Sequence, residues 1–172
     1  MQIAALDVLA HGLPELSTEL SYSMPIPLAF WKGETFAAVL FLFYSKARYG
    51  GFEPGEVSFE YERDKSGWRP IEAMHGYGST TIRNDPVSSP LSLEYEEYFA
   101  IKRNGSYFDS GSRPVHPAIV SFGRHAPDVA EIRLLQGDSS QSAPATGHFG
   151  AWIVCGESSS LSESRLSTSR VE

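Results

Sequence analysis

The sequence predicts an all-β chain, a sandwich or an open barrel. Short apolar or alternating runs recur at roughly ten-residue spacing, and glycine and proline turns punctuate them. A chain of 172 residues suits one domain. Its expected limits are an N-terminal segment over 1–19, a β domain over 20–157 and a serine-rich tail over 158–172.

Ile3, Leu6, Leu9 and Ala10 recur near helical spacing and predict a short first helix with these residues on one side. The two prolines of "SYSMPIP" stop any helix and impose extended backbone. Strands are expected over 28–31 and 36–44, joined by a tight turn at Lys32-Gly33-Glu34. The second, "FAAVLFLFY", is apolar on both alternating sides, as a strand buried on both faces would be. "RYGGFEPGE" reads as a loop. In "EVSFEYER", Val57, Phe59 and Tyr61 point one way and Ser58, Glu60 and Glu62 the other. The turn "DKSG" and the returning "WRPI" complete a hairpin over 56–71.

Residues 75–90 keep no hydrophobic period and read as a long loop, where a binding surface is expected. Over 91–103, Ser89 and Pro90 would suit a helix start, but the alternation of Leu91, Leu93, Tyr95, Phe99 and Ile101 favours a strand. Asn104-Gly105 then signals a hairpin. Two strands are expected over 117–123 and 129–135. "GDSSQSAPATG" reads as a break and "HFGAWIVC" as a final strand. The tail "ESSSLSESRLSTSRVE" has almost nothing to bury and is expected to stay disordered.

Counting glycine, about half the chain is apolar, as in ordinary globular proteins. A formal charge of -7 argues against nucleic acid, whose phosphates such a surface repels. The one basic pair, Lys102-Arg103, sits near Glu94, Glu96 and Glu97. A single cysteine forms no internal disulfide. The first residues lack the basic flank of a signal peptide, and "FAAVLFLFY" is about half the length of a membrane span. A cytoplasmic chain without membrane contact is the expectation.

The stretch "IVSFGRHAPDVAEIRLLQGDSSQSAPATGHFGAWIVCGE" resembles a C-terminal pattern of uncharacterised bacterial proteins, many of actinobacterial type. Its matching residues are Gly123, Val129, Ile132 and a Gly-x-Phe-x-x-Trp strand at Gly147, Phe149 and Trp152. About a quarter of the chain is covered. The resemblance implies a two-sheet antiparallel sandwich of immunoglobulin-like character, and it implies no activity.

Packing accounts for the catalytic candidates in the sequence better than chemistry does. On one regular strand, Cys155 and His148 stand an odd number of residues apart, on opposite faces and roughly 20 Å from each other, so they form no dyad. Cys155 shares parity with the apolar Phe149, Ala151 and Ile153, where a free cysteine packs as a small hydrophobe. "HGYGS" is similar to an esterase oxyanion loop, but no Gly-x-Ser-x-Gly elbow accompanies it. "GDSS" resembles a lipase serine block without the later aspartate that would complete it. His116 and His125 lack a third ligand at metal-site spacing, and His11 and His75 stand isolated. Glu94 and Glu96 share a side, as an acid pair of a glycosidase would, but exposed glutamates on an edge strand are far commoner. No catalytic residue, metal ligand or cofactor is therefore expected.

Tryptophans 31, 68 and 152 fall in expected strands and suit the core. Tyr22, Tyr49, Tyr77 and Tyr107 fall in or beside loops, where rings bring contact area at small entropic cost. The expectation is a non-enzymatic module that binds another protein through loops and an acidic face, with Tyr49, His75, Tyr77 and Tyr107 as binding residues. Two alternatives stand beside it: a carbohydrate-binding sandwich using Tyr49, Tyr77 and a tryptophan, and a hydrolase pairing His75 with a serine or Cys155.

Overall fold

A computed structural model of the chain describes residues 1–16, 24–46, 48, 50, 52–71, 75–78, 102–103, 119–125, 128–156 and 164–170. It is built mostly of antiparallel strands, with one short helix at the N-terminus. The chain divides into two compact units. The first is Met1–Asp85 with Gly147–Phe149, and the second is Pro86–Thr146 with Gly150–Glu172.

The first unit opens with α1, Gln2–His11. Gly12 ends it at φ 90°, a conformation easy only for glycine, and its N–H donates to Val8 O at 2.8 Å. Lys32 Nζ donates to Leu9 O at 2.8 Å, satisfying a carbonyl that the last turn leaves without a helical partner. Of the four residues expected on one side, only Leu9 is buried. Ala5, Val8 and Leu9 are buried, while Ile3 and Leu6 face out.

A five-stranded sheet follows: β1 (Ile26–Lys32), β2 (Phe36–Lys46), β3 (Phe52–Asp64), β4 (Gly67–Pro70) and β5 (His75–Gly78). The order is β1-β2-β3-β4, and β5 pairs with β3 beyond β4. Gly33 is required at the β1–β2 turn, because a Cβ there would lie 2.5 Å from the Trp31 ring. One face of the sheet packs Ala37, Val39, Phe41, Val57, Phe59 and Tyr61 against the buried side of α1. Phe41 and Phe59 meet edge to face at 5.6 Å. Ala38, Leu40 and Leu42, on the opposite face, are buried too. That double burial is why β2 shows no alternation.

The β3–β4 hairpin turns through Asp64, whose Oδ1 accepts from Ser66 N at 2.7 Å, and through Gly67 at φ 125°. The returning chain stays on β3: Ile71 N donates to Glu60 O at 2.9 Å, and His75 then stands opposite Ser58. The expected 75–90 loop is thus corrected at its start, where four residues form β5. No alternation could reveal that strand, since two of its four residues are glycines.

The second unit holds two three-stranded sheets. One has the order β10-β7-β6, with β6 Lys102–Arg103, β7 Ile119–Arg124 and β10 Ala151–Gly156. The other has the order β11-β8-β9, with β8 Val129–Gln136, β9 Ser139–Pro144 and β11 Ser164–Arg170. β10 also lies against β8 and β9. A Cβ on Gly156 would point into the side chains of Gln136 and Leu134, so the bare backbone is what permits this approach.

Three expectations are corrected here. Residues 139–144 are a strand, reached through a two-residue turn whose Gly137 has φ 57°, as the first position of a type II′ turn requires. Its period was hidden because Ala143 is its only buried residue. The tail expected to be disordered contributes β11 over seven residues, paired antiparallel to β8. The final strand begins at Ala151, since the chain turns just before it through Phe149 at φ 56° and Gly150 at φ 71°. Of the expected 91–103 strand, only Lys102 and Arg103 lie within the described residues.

Candidate functional site

Many of the residues singled out in the sequence lie outside the described ones. Tyr49, Tyr107, Tyr22, His116, Glu94 and Glu96 lie outside them. His75 and Tyr77 are placed by backbone only, opposite Ser58 and Glu56 of β3, and their side chains lie outside the described part. Cys155 is 1% exposed, opposite Val120, on the sheet face it shares with Phe122, Ala151 and Ile153. His148, in the turn before β10, donates from Nε2 to Pro14 O at 2.9 Å. The two therefore sit in different settings, the thiol in an apolar layer and the imidazole on a backbone carbonyl. His125 anchors the same turn through its backbone, its N–H donating to Gly150 O at 2.9 Å. Ser139, in the lipase-like "GDSS", donates from Oγ to Gln136 O at 2.9 Å. No group of three or more His, Cys, Asp or Glu side chains among the described residues could hold a metal ion.

The structure adds two features that the sequence reading missed. The first is a buried polar row on β3. Glu56, Ser58, Glu60 and Glu62 share the sheet face turned away from α1, and all four are buried. Alternate residues of a strand are about 7 Å apart, so the carboxylates are separated enough to be held one by one. Ser58 Oγ donates to Glu60 Oε1 at 3.2 Å. Arg69, opposite Glu62 in the register, forms an ion pair with it and lies 4.0 Å from Asp64. The alternation was legible, but the burial of its polar side was not. The available signal was the neighbouring β2: a strand apolar on both faces requires cover on both, and that cover extends over the adjoining strand.

The second feature is the outward side of α1. Met1, Ile3 and Leu6 are exposed, Ile3 to 86%, beside the Asp7–His11 pair at 3.0 Å. With Met24, these are the exposed large hydrophobics among the described residues. Ile3, Leu6 and Ala10 stand at i, i+3 and i+7, so the helix carries an apolar stripe on each side. The sheet covers one of the two.

No family model matches the chain, and searches of curated proteins and of solved structures return no match either.

Proposed function

We propose that the chain is a non-enzymatic module that binds another protein. The observation that carries this reading is the outward stripe of α1, where Ile3 and Leu6 stand exposed beside Asp7 on a helix already anchored through Ala5, Val8 and Leu9. A helix fixed on one side and apolar on the other offers i, i+3 and i+7 anchors to a hydrophobic groove. The formal charge of -7 favours a partner whose groove is rimmed by Lys and Arg, since complementary charge speeds encounter and excludes wrong partners. Tyr49, His75, Tyr77 and Tyr107 are a further part of the proposed contact surface.

The finer architecture belongs to the same proposal: a two-sheet sandwich of immunoglobulin-like character, like the bacterial proteins that the Gly147, Phe149 and Trp152 pattern resembles. The approach of β10 to β8 and β9 supports it. The test is affinity capture at moderate salt with the intact chain and with Ile3→Ser/Leu6→Ser. The proposal expects one saturable protein partner, lost in the double variant while its circular dichroism is unchanged. Equal capture by both chains, or reproducible turnover by the pure protein that is lost on changing one residue, would overturn it.

A further inference from the structure

We infer that β11 is a replaceable strand, and that the β8 edge beneath it is a docking site for an extended segment of a partner protein. The chain's own tail is the occupant seen here. It runs antiparallel to β8 from Ser164 opposite Gln136 to Arg170 opposite Val129, and it fills one edge of the sheet while β9 fills the other.

The two sides of this pairing are unequal. On β8, Ile132 and Leu134 are fully buried. On β11, the residues opposite them are Thr168 and Leu166, both only half-buried, and Leu166 is the strand's one apolar residue. The remaining described side chains of β11 are Ser and Arg. Arg170 pairs with Asp128 at 3.3 Å in an exposed setting, where an ion pair adds little. The polar β9 buries Ala143 and is tied to β8 by the Gly137–Asp138 turn, whereas β11 follows β10 of the other sheet after an intervening segment. Backbone hydrogen bonds are thus most of what holds the tail, and any extended chain can supply those.

The seated tail specifies the incoming segment. It must lie antiparallel to β8, cover about seven residues, place aliphatic or β-branched side chains opposite Ile132 and Leu134, and carry polar residues opposite Glu131 and Arg133. A strand with isoleucine where this chain has Thr168 fits that edge better than the tail does. The edge is made by other elements than α1, so loss of the α1 partner and loss of this docking are separable results.

The probe is a labelled, end-blocked peptide of residues 164–170 carrying Thr168→Ile, titrated into the full chain by fluorescence anisotropy. Amide exchange is followed in the same samples. Two variants weaken the tail without touching β8: Leu166→Asp, and the milder Arg170→Glu, which sets a carboxylate against Asp128. The expected results are saturable binding, at least five-fold tighter to either variant than to the parent, and loss of protection over 164–170 while 129–144 stays protected. A control peptide carrying Ser167→Ile instead, with its isoleucine opposite Arg133, should bind at least five-fold more weakly than the Thr168→Ile peptide. The inference is overturned if neither folded variant binds the peptide, or if 164–170 exchanges only together with β8 and β9. A dimer in which the tail of one copy fills the edge of another, without peptide binding, also overturns it.

Discussion

A Cβ on Gly156 would lie 2.8 Å from Leu134 Cδ2 and closer still to Gln136 Oε1. Both neighbours are buried, so they can yield only by repacking. Gly156→Ala should cost about 1–3 kcal/mol, the usual price of overpacking a core, read as a lowered midpoint in urea. Coupling between Gly156→Ala and Gln136→Ala should then be large; strict additivity would mean that the clash is absent. The Arg69–Glu62 pair is a second residue-scale test. Glu62 is buried and Arg69 exposed, so Arg69→Ala removes a cation from beside a buried carboxylate. Discounted for the exposed guanidinium, the loss should be about 1–2 kcal/mol. Glu62→Gln should recover part of it in the double variant, and no recovery would assign the loss to packing instead. For Cys155, buried in an apolar layer, a thiol reagent should react at the rate of unfolding; fast modification of native protein would contradict its placement.

At the scale of elements, the β3 surface against α1 makes its own prediction. Tyr61 is buried there, its hydroxyl donating to Gln2 O at 3.3 Å, and burial raises its pKa to about 12. An unfolded tyrosine ionises near 10. The unfolded chain therefore releases its proton first, and stability that is fully present below about pH 10 falls as the pH rises toward 12. Tyr61→Phe should flatten that part of the profile of urea midpoint against pH; an unchanged slope would place the titration elsewhere. Elements of this kind were legible in the sequence. The alternation of Val57, Phe59 and Tyr61 marks β3, the "DKSG" turn marks the hairpin, and the doubly apolar run marks β2. Strands β9 and β11 were not legible, for one shared reason: each is polar, and each is a strand because β8 offers its backbone an edge. A period of two needs a contrast between faces, and Ser-rich segments have none to show.

For the whole molecule, the chain reads as antiparallel sheets with a helix lying on one of them, in two compact units. The sequence suggested the helix and one apolar side of it, Ile3, Leu6, Leu9 and Ala10, of which only Leu9 is buried. The choice of side was open because α1 carries two apolar stripes: Ala5, Val8 and Leu9 meet the sheet, while Ile3 and Leu6 do not. That ambiguity in the pattern is itself the functional clue, since a helix needs only one such stripe to pack on a sheet. The candidate site was less legible than the fold. Neither the burial of Glu56, Glu60 and Glu62 nor the exposure of Ile3 follows from local spacing, because each depends on which surface a distant strand covers.

The measurement that bears most directly on the interaction proposal is a comparison of partner affinity between the intact chain and the Ile3→Ser/Leu6→Ser variant. Losing two exposed apolar anchors from a bound helix should weaken binding by at least ten-fold and leave the thermal midpoint of the free protein within a few degrees. An unaltered affinity, or a collapse of the midpoint showing that Ile3 and Leu6 hold the fold itself, would contradict the account.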